Sequence, residues 1–186
     1  MFKLSPINKS DLELVLKWRN LKKIRYNMIN NQCISWKAHC AWFENLQHRK
    51  DREFLLFSID DRKVGIVSFV DINLDNQNCS WGFYVGEETT PKGTGTLMAY
   101  YALNYIFDKY NLHKINSQVF QFNEASVGFH ENLKFTYTGV LKDEILRESE
   151  YQNLILFSLF KNDWDISKDG IYIKTLQKMK GEKKHV

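Results

Sequence analysis

Apolar positions along the chain change spacing several times, and the changes mark the elements. Phe2, Leu4 and Ile7 read as a short strand over residues 2–7. Ser10 followed by Glu13 is a capping box, which opens a helix whose apolar face is Leu12, Val15, Leu16 and Leu21. Asn27 to Cys33 has no period and reads as a loop, after which Ser35 caps a helix bearing Trp36, Cys40, Phe43 and Leu46. The period then drops to two. Glu53–Ile59, Val64–Ile72 and Cys79–Gly86 are three strands joined by short polar turns, an antiparallel meander. A helix from Thr96 to about Tyr110, a strand Lys114–Phe122, a helix Glu124–Leu133 and a strand pair Phe135–Arg147 and Tyr151–Lys161 follow. Asn162 onward reads as a helix and tail. The order β-α-α-β-β-β-α-β-α-β-β is that of a mixed α/β domain (α+β type) with a central, mostly antiparallel sheet flanked by helices.

Composition narrows the class. The chain has 186 residues, 44% hydrophobic and 15% aromatic, enough for one folded domain with a buried core. Only Pro6 and Pro91 occur, and no Pro/Gly/Ser-rich linker divides the sequence. Net charge is +4, part of it in a terminal run with Lys174, Lys178, Lys180, Lys183 and Lys184. That run reads as a solvated basic tail, and no basic surface interleaved with aromatics predicts a nucleic-acid partner. Cys33, Cys40 and Cys79 form no CxxC pair, so neither a disulfide framework nor a metal is expected and a reducing compartment fits. There is no signal-like or membrane-spanning apolar run, so a cytoplasmic protein without a membrane partner is expected.

Two segments carry chemistry. In the first, the strand ending at Val85 runs through Thr90-Pro91-Lys92-Gly93-Thr94-Gly95 into a helix. Glycines there let the backbone approach a ligand, and the helix start adds unpaired N–H groups and a positive dipole end, together a pyrophosphate cradle. Neither a GxxxxGK[ST] nor a GxGxxG pattern is present. In the second, FNEASVGFHENLKF, Asn123 follows a strand and Phe129 and His130 fall in the second turn of the next helix. Taken singly, Asn123 is an ordinary N-cap and His130 an ordinary half-buried histidine.

Together the segments resemble the coenzyme-A half of the GNAT superfamily of N-acetyltransferases: strand, (R/Q)xxGx(G/A), long helix, strand, Asn-x-x-(A/S), then an aromatic residue or His. Thr90 departs from the Arg or Gln of the first motif position; both glycines match, and Lys92 is the candidate for the missing charge. The resemblance implies a GNAT-like acyl-CoA N-acyltransferase fold over residues 1–165, with 166–186 a C-terminal helix and basic tail. Trp18-Arg19-Asn20, SWKAHCAWFENL, WGFYVG and LHKINSQV sharpen it. They look like the subgroup that acetylates the 4-amino group of a UDP-amino-dideoxy sugar in pseudaminic acid biosynthesis, which modifies bacterial surface glycans and flagellins.

The resemblance implies acetyl-CoA as cosubstrate, no metal, and a small-molecule acceptor, with a homodimer left open. Acetyl-CoA would lie along Phe83, Tyr84 and Val85, on Lys92, Gly93, Thr94, Gly95 and Thr96, and against Asn123, Ser126, Phe129 and His130. A main-chain N–H near Tyr84 would face the thioester oxygen, Asn123 would contact pantetheine or the amine, and His130 stands where relatives place a proton-donating tyrosine. The acceptor would meet Arg19 and His39 through a diphosphate, Met28 and Trp42 through the base or sugar face, and Asp71 and Trp81. Asp71 and Glu53 are candidate general bases, with a water chain as the alternative. Two other readings stay open: a ribosomal-protein-type N-terminal α-amino acetyltransferase and a non-catalytic acyl-CoA-binding domain.

Overall fold

The computed structural model describes residues 1–182. The strands are β1 (Phe2–Pro6), β2 (Glu53–Ile59), β3 (Arg62–Asn73), β4 (Asn78–Val85), β5 (Lys114–Phe120), β6 (Thr136–Arg147) and β7 (Glu150–Phe160). The helices are α1 (Leu12–Asn20), α2 (Lys22–Arg25), α3 (Trp36–Leu46), α4 (Thr94–Tyr110), α5 (Glu124–Asn132) and α6 (Lys161–Glu182). One seven-stranded sheet has the order β1-β2-β3-β4-β5-β7-β6. All neighbours are antiparallel except β4 and β5, which α4 connects as a parallel pair.

Alternation along the strands sorts apolar side chains onto two cores, one on each sheet face. Leu55, Phe57, Val67, Phe69 and Trp81 face α4, α5 and α6. Leu56, Ile66 and Tyr84 face α1 and α3. The apolar payload of α4 is Leu97, Met98, Leu103, Ile106 and Phe107, all buried.

Several boundaries move from the sequence expectation. The capping box is Asn8 with Asp11, around a 3-10 turn at Lys9–Asp11 that precedes α1. Ser10 does not cap; its own N–H and hydroxyl both donate to Asn8 Oδ1. Ser35 does cap α3, accepting from the Ala38 N–H at 3.2 Å. α4 starts at Thr94, not Thr96, and α2 is a short turn of helix inside a stretch without apolar period. The basic stretch does not begin as a free tail: Lys174, Lys178 and Lys180 ride on α6, whose Tyr172, Leu176 and Met179 pack against the α4 core. Lys183 and Lys184 lie outside the described residues.

Candidate active site

The parallel pairing of β4 with β5 is short. Only Asn78, Cys79 and Ser80 pair with Lys114, Ile115 and Asn116. Beyond Ser80 and Asn116 the strands part, while β4 stays paired to β3 as far as Val85 and β5 to β7 as far as Phe120. Along Trp81–Val85 the backbone groups turned away from β3 therefore face a gap. A cavity of about 550 Å³ fills the gap, reaching from Arg19 and Met28 on one side to Asn123, Ser126, Phe129 and His130 on the other.

At the mouth of the gap the chain enters α4. Gly93 is the N-cap residue, left-handed at φ 93°, and no side chain caps this helix. Thr94 donates both its N–H (3.1 Å) and its hydroxyl (2.8 Å) to the Pro91 carbonyl, and the Leu97 N–H already reaches Gly93. That leaves the Gly95 and Thr96 amides at the positive end of a 17-residue helix. A Cβ on Gly95 would meet only Phe129 Cε2 at 3.6 Å and Val85 Cγ2 at 3.8 Å, ordinary contacts. The fold itself therefore leaves room for a side chain at this position. Phe129 closes the wall by packing on Phe83 with ring centroids 4.5 Å apart.

Asn123 caps α5, its Oδ1 accepting from the Ser126 N–H at 3.1 Å, which leaves its NH₂ and a second lone pair of Oδ1. His130 is 1% exposed, stacked on Phe157 and edge-on to Trp81 and Phe135. Its Nδ1 lies 2.7 Å from the Ser126 carbonyl and its Nε2 2.8 Å from Ser117 Oγ. A carbonyl can only accept, so Nδ1 carries the proton and Nε2 accepts from the Ser117 hydroxyl. Burial pushes the pKa of His130 down to about 4. The imidazole is neutral at pH 7 with its lone pair toward the cleft, which does not suit the expected proton donor.

A second chamber, about 410 Å³, opens on the opposite sheet face between α1, α3 and the β3–β4 pair. It shares Arg19, Met28, Gly82, Phe83 and Tyr84 with the first. Arg19 donates to the Asn30 carbonyl at 2.6 Å through Nη2, while its buried Nη1 has no protein partner. Trp42 and His39 stack at 5.0 Å, and Trp42 stands edge-on to Phe54. Burial lowers the pKa of His39 and raises that of the Tyr84 phenol, so both are neutral. No Asp or Glu lines either cavity among the described residues, whereas Arg19 and Lys23 do.

A splayed parallel pair beside an uncapped, glycine-started helix is a place for a pantetheine arm and its pyrophosphate. The family model described as the acetyltransferase (GNAT) domain matches residues 2–136. The chain belongs to the GNAT acetyltransferase family. It is similar to acetyltransferase PseH of Campylobacter jejuni, 24% identical over 75% of this chain and 85% of that one. It is as similar to spermidine N(1)-acetyltransferase of Escherichia coli, 25% identical over 87% of each chain. Among solved structures, spermidine N-acetyltransferase from Vibrio cholerae in complex with CoA and spermine shares the fold, with TM-score 0.83 and 20% identity over 88% of this chain and 97% of that one. The protein is thus an N-acetyltransferase that uses acetyl-CoA. Among its described residues no three His, Cys, Asp or Glu side chains group as a metal site.

Within this GNAT frame most of the expected site residues meet. Phe83, Tyr84, Asn123, Ser126, Phe129, His130 and Trp81 line the first cavity, and Arg19, Met28, His39 and Trp42 the second chamber. Gly93, Thr94, Gly95 and Thr96 form the helix start beside it, with Val85 against Gly95. Lys92 is exposed on the loop and lines neither cavity. Trp81 is 5% exposed and stacked on Phe135, on the coenzyme face and not in the second chamber. His39, being neutral, adds no charge toward a diphosphate. Asp71 stands apart: it is exposed at φ 54° in the bulge beyond Val70, beside Asp51 and Asp75, at the opposite end of β3 from the gap. Glu53 is no free base either, since the Tyr105 hydroxyl donates to it at 2.7 Å and Lys109 and Tyr110 also bind it.

The sequence reading missed Ser117. Its signal is present in the pattern: Ser117 shares the inward face of β5 with Ile115 and Val119, and a small polar residue at an apolar alternation position calls for a partner. Lys23, at the mouth of the cleft, and Arg147, described below, carry no comparable local signal.

Proposed function

We propose that this GNAT enzyme acetylates the amine of a nucleotide-linked amino sugar, a UDP-4-amino-4,6-dideoxy sugar, on its 4-amino group. One observation carries the reading: both cavities are free of carboxylates among the described residues and share the guanidinium of Arg19, whereas Lys23 lines only the first and already pairs with Glu88 at 3.4 Å. A polyamine brings several positive charges, and burying them beside a guanidinium without a counter-charge is unfavourable by several kcal/mol, on the order of the cost of an unpaired buried ion. A diphosphate matches the unpartnered Nη1 of Arg19, and the Trp42 face suits a base or a deoxy sugar. The similarity to PseH points the same way, to the pathway that builds pseudaminic acid, and acetyl-CoA supply places the reaction in the cytoplasm.

The chain's residues divide the work. Gly95 and Thr96 N–H groups hold pyrophosphate, and the open edge of β4 lines up the pantetheine amides. A β4 amide near Tyr84 polarises the thioester carbonyl, and Arg19, Met28 and Trp42 bring the amine to it. Positioning of two bound substrates supplies most of the rate, with no covalent enzyme intermediate.

The spermidine reading rests on equally similar relatives, so the test pits the acceptors against each other. Acetyl-CoA consumption is followed with the UDP-4-amino-4,6-dideoxy sugar, spermidine and an N-terminal peptide at equal concentration, and products are weighed by mass spectrometry. One acetyl group on the sugar is expected. Preferential acetylation of spermidine or of the peptide overturns the reading.

A further inference from the structure

Ser117 occupies a special position in the sheet. It is the first residue of β5 past Asn116, the last to pair with β4, and so stands at the vertex where the two strands part. It is 6% exposed, and what it shows faces the coenzyme cleft together with His130. For the neutral imidazole, which burial among aromatic rings favours, the hydrogen-bond directions along the line follow by elimination. The Ser126 carbonyl holds the proton on His130 Nδ1, so Nε2 is an acceptor and the Ser117 hydroxyl donates to it. With its only hydrogen directed at the imidazole, Ser117 Oγ keeps its lone pairs for a donor. The groups packed around the imidazole are Trp81, Phe83, Phe129, Phe135 and Phe157, none of them charged. The arrangement is a hydroxyl, a base and an orienting group in series, opening on the first cavity.

We propose that Ser117 and His130 form a proton shuttle, in which Ser117 Oγ takes the proton shed by the attacking amine and passes its own to His130 Nε2. The neutral amine forms its N–C bond to the acetyl carbonyl, and the nitrogen becomes positively charged and strongly acidic. Its proton moves to Ser117 Oγ as the serine proton moves to Nε2. When the C–S bond breaks, the same two protons return: Nε2 protonates Ser117 Oγ, and Ser117 protonates the departing thiolate. One N–H is lost, one S–H is gained, and no oxidant, reductant or further reactant takes part. Ser117 is the catalytic residue of the pair, and His130 acts through it. The histidine at the family's proton-donor position thereby works first as an acceptor. The shuttle rests on acetyl transfer alone and not on the identity of the acceptor.

The test has two independent readouts. Nitrogen-15 NMR of the imidazole in the free protein at pH 7 is expected to show the neutral Nδ1–H tautomer for His130; an imidazolium or an Nε2–H tautomer overturns the shuttle. In turnover with acetyl-CoA, the UDP-4-amino sugar and spermidine are run in parallel, and the amine that the wild type accepts is used. Ser117→Ala and His130→Phe are each expected to lower kcat on the order of 10²-fold, with the double variant little worse than either. Acetyl-CoA affinity should stay unchanged by calorimetry, and the wild-type solvent isotope effect should fall in Ser117→Ala. Ser117→Thr keeps the hydroxyl and should keep most of the rate, which separates loss of chemistry from loss of packing. Full turnover by Ser117→Ala with chemistry limiting, or strictly multiplicative losses in the double variant, overturns the proposal.

Discussion

Gly93 lies directly against Thr175: a Cβ built on the glycine would stand 3.1 Å from the threonine methyl and 3.6 Å from Met179 Cγ. The last helix therefore backs the coenzyme loop from outside. α6 runs antiparallel to α4, with Trp164 donating to Asn104 and Tyr172 stacked on Tyr100 before Thr175 reaches Gly93. The glycine is required twice, by its left-handed φ of 93° and by the close helix. Gly93→Ala is expected to cost about 1–3 kcal/mol of stability through strain and to weaken acetyl-CoA binding by tilting the start of α4. Thermal unfolding and calorimetry of the variant check both. An unchanged melting point with unchanged affinity would show that the loop adapts freely.

Gly95 behaves differently, because its neighbours leave ordinary van der Waals room for a methyl group. Gly95→Ala should hold or raise the melting temperature, since alanine favours a helix by about 1 kcal/mol over glycine. Gly95→Glu should also fold, because carboxylates suit a first helical turn. The same carboxylate would stand where the coenzyme phosphates are proposed to bind, so acetyl-CoA affinity is expected to fall at least about tenfold. Glu tolerated in both stability and affinity would move the pyrophosphate away from this helix end.

These two glycines also show what a linear reading can reach. The strand–loop–helix from Trp81 to Tyr110 is contiguous, so its local structure was legible. β2 was legible to the residue at Glu53–Ile59 because a continuous apolar run, Phe54–Phe57, lies between polar Arg52-Glu53 and the polar turn at Asp60 and Asp61. The cap of the first helix was misread by two residues because Asn8/Asp11 and Ser10/Glu13 fit the same capping spacing. The placement of His130 was legible, but not its protonation. That depends on a carbonyl one helical turn away and on a hydroxyl of another strand. Asp71 looked like a site residue because charge on a strand draws notice, yet the bulge beyond Val70 removes it from the register that reaches the cleft.

Arg147 is the long-range contact no pattern announces. From β6 it stacks over Phe120 at 4.0 Å and donates to the main-chain carbonyls of Tyr26 and Met28. It thus ties the β6–β7 hairpin to the loop that walls both cavities, and Tyr26 reinforces the tie by meeting Phe122 at 5.1 Å. Arg147→Ala should leave acetyl-CoA affinity nearly intact, raise the acceptor KM about tenfold and cost about 1–3 kcal/mol of stability from unpaired carbonyls. Steady-state kinetics with each substrate varied in turn distinguishes these. An equal loss for both substrates would mean that the loop serves the coenzyme as well.

The protonation state of His130 makes a further prediction that needs no substrate. The folded chain holds this imidazole neutral down to about pH 4, through burial, while the unfolded chain binds the proton near the ordinary histidine value of 6.5. Between these values the unfolded state carries more protons, so stability is fully present above about 6.5 and declines as pH falls toward 4. The decline attributable to this side chain approaches about 3 kcal/mol at the acid end. His39, whose pKa burial also lowers, contributes in the same direction, so the slope of the wild type alone does not isolate His130. The difference between wild type and His130→Phe does. At pH 7 the variant should be less stable, because Ser117 loses its hydrogen-bond partner. On acidification to about pH 4.5 that deficit should shrink or reverse by about 2–3 kcal/mol, since phenylalanine has no proton to take up. Urea unfolding at the two pH values measures the change. A deficit that stays constant would mean that His130 titrates alike in both states, and a histidine free to become an imidazolium in the folded enzyme would return to candidacy as a direct proton donor to the thiolate.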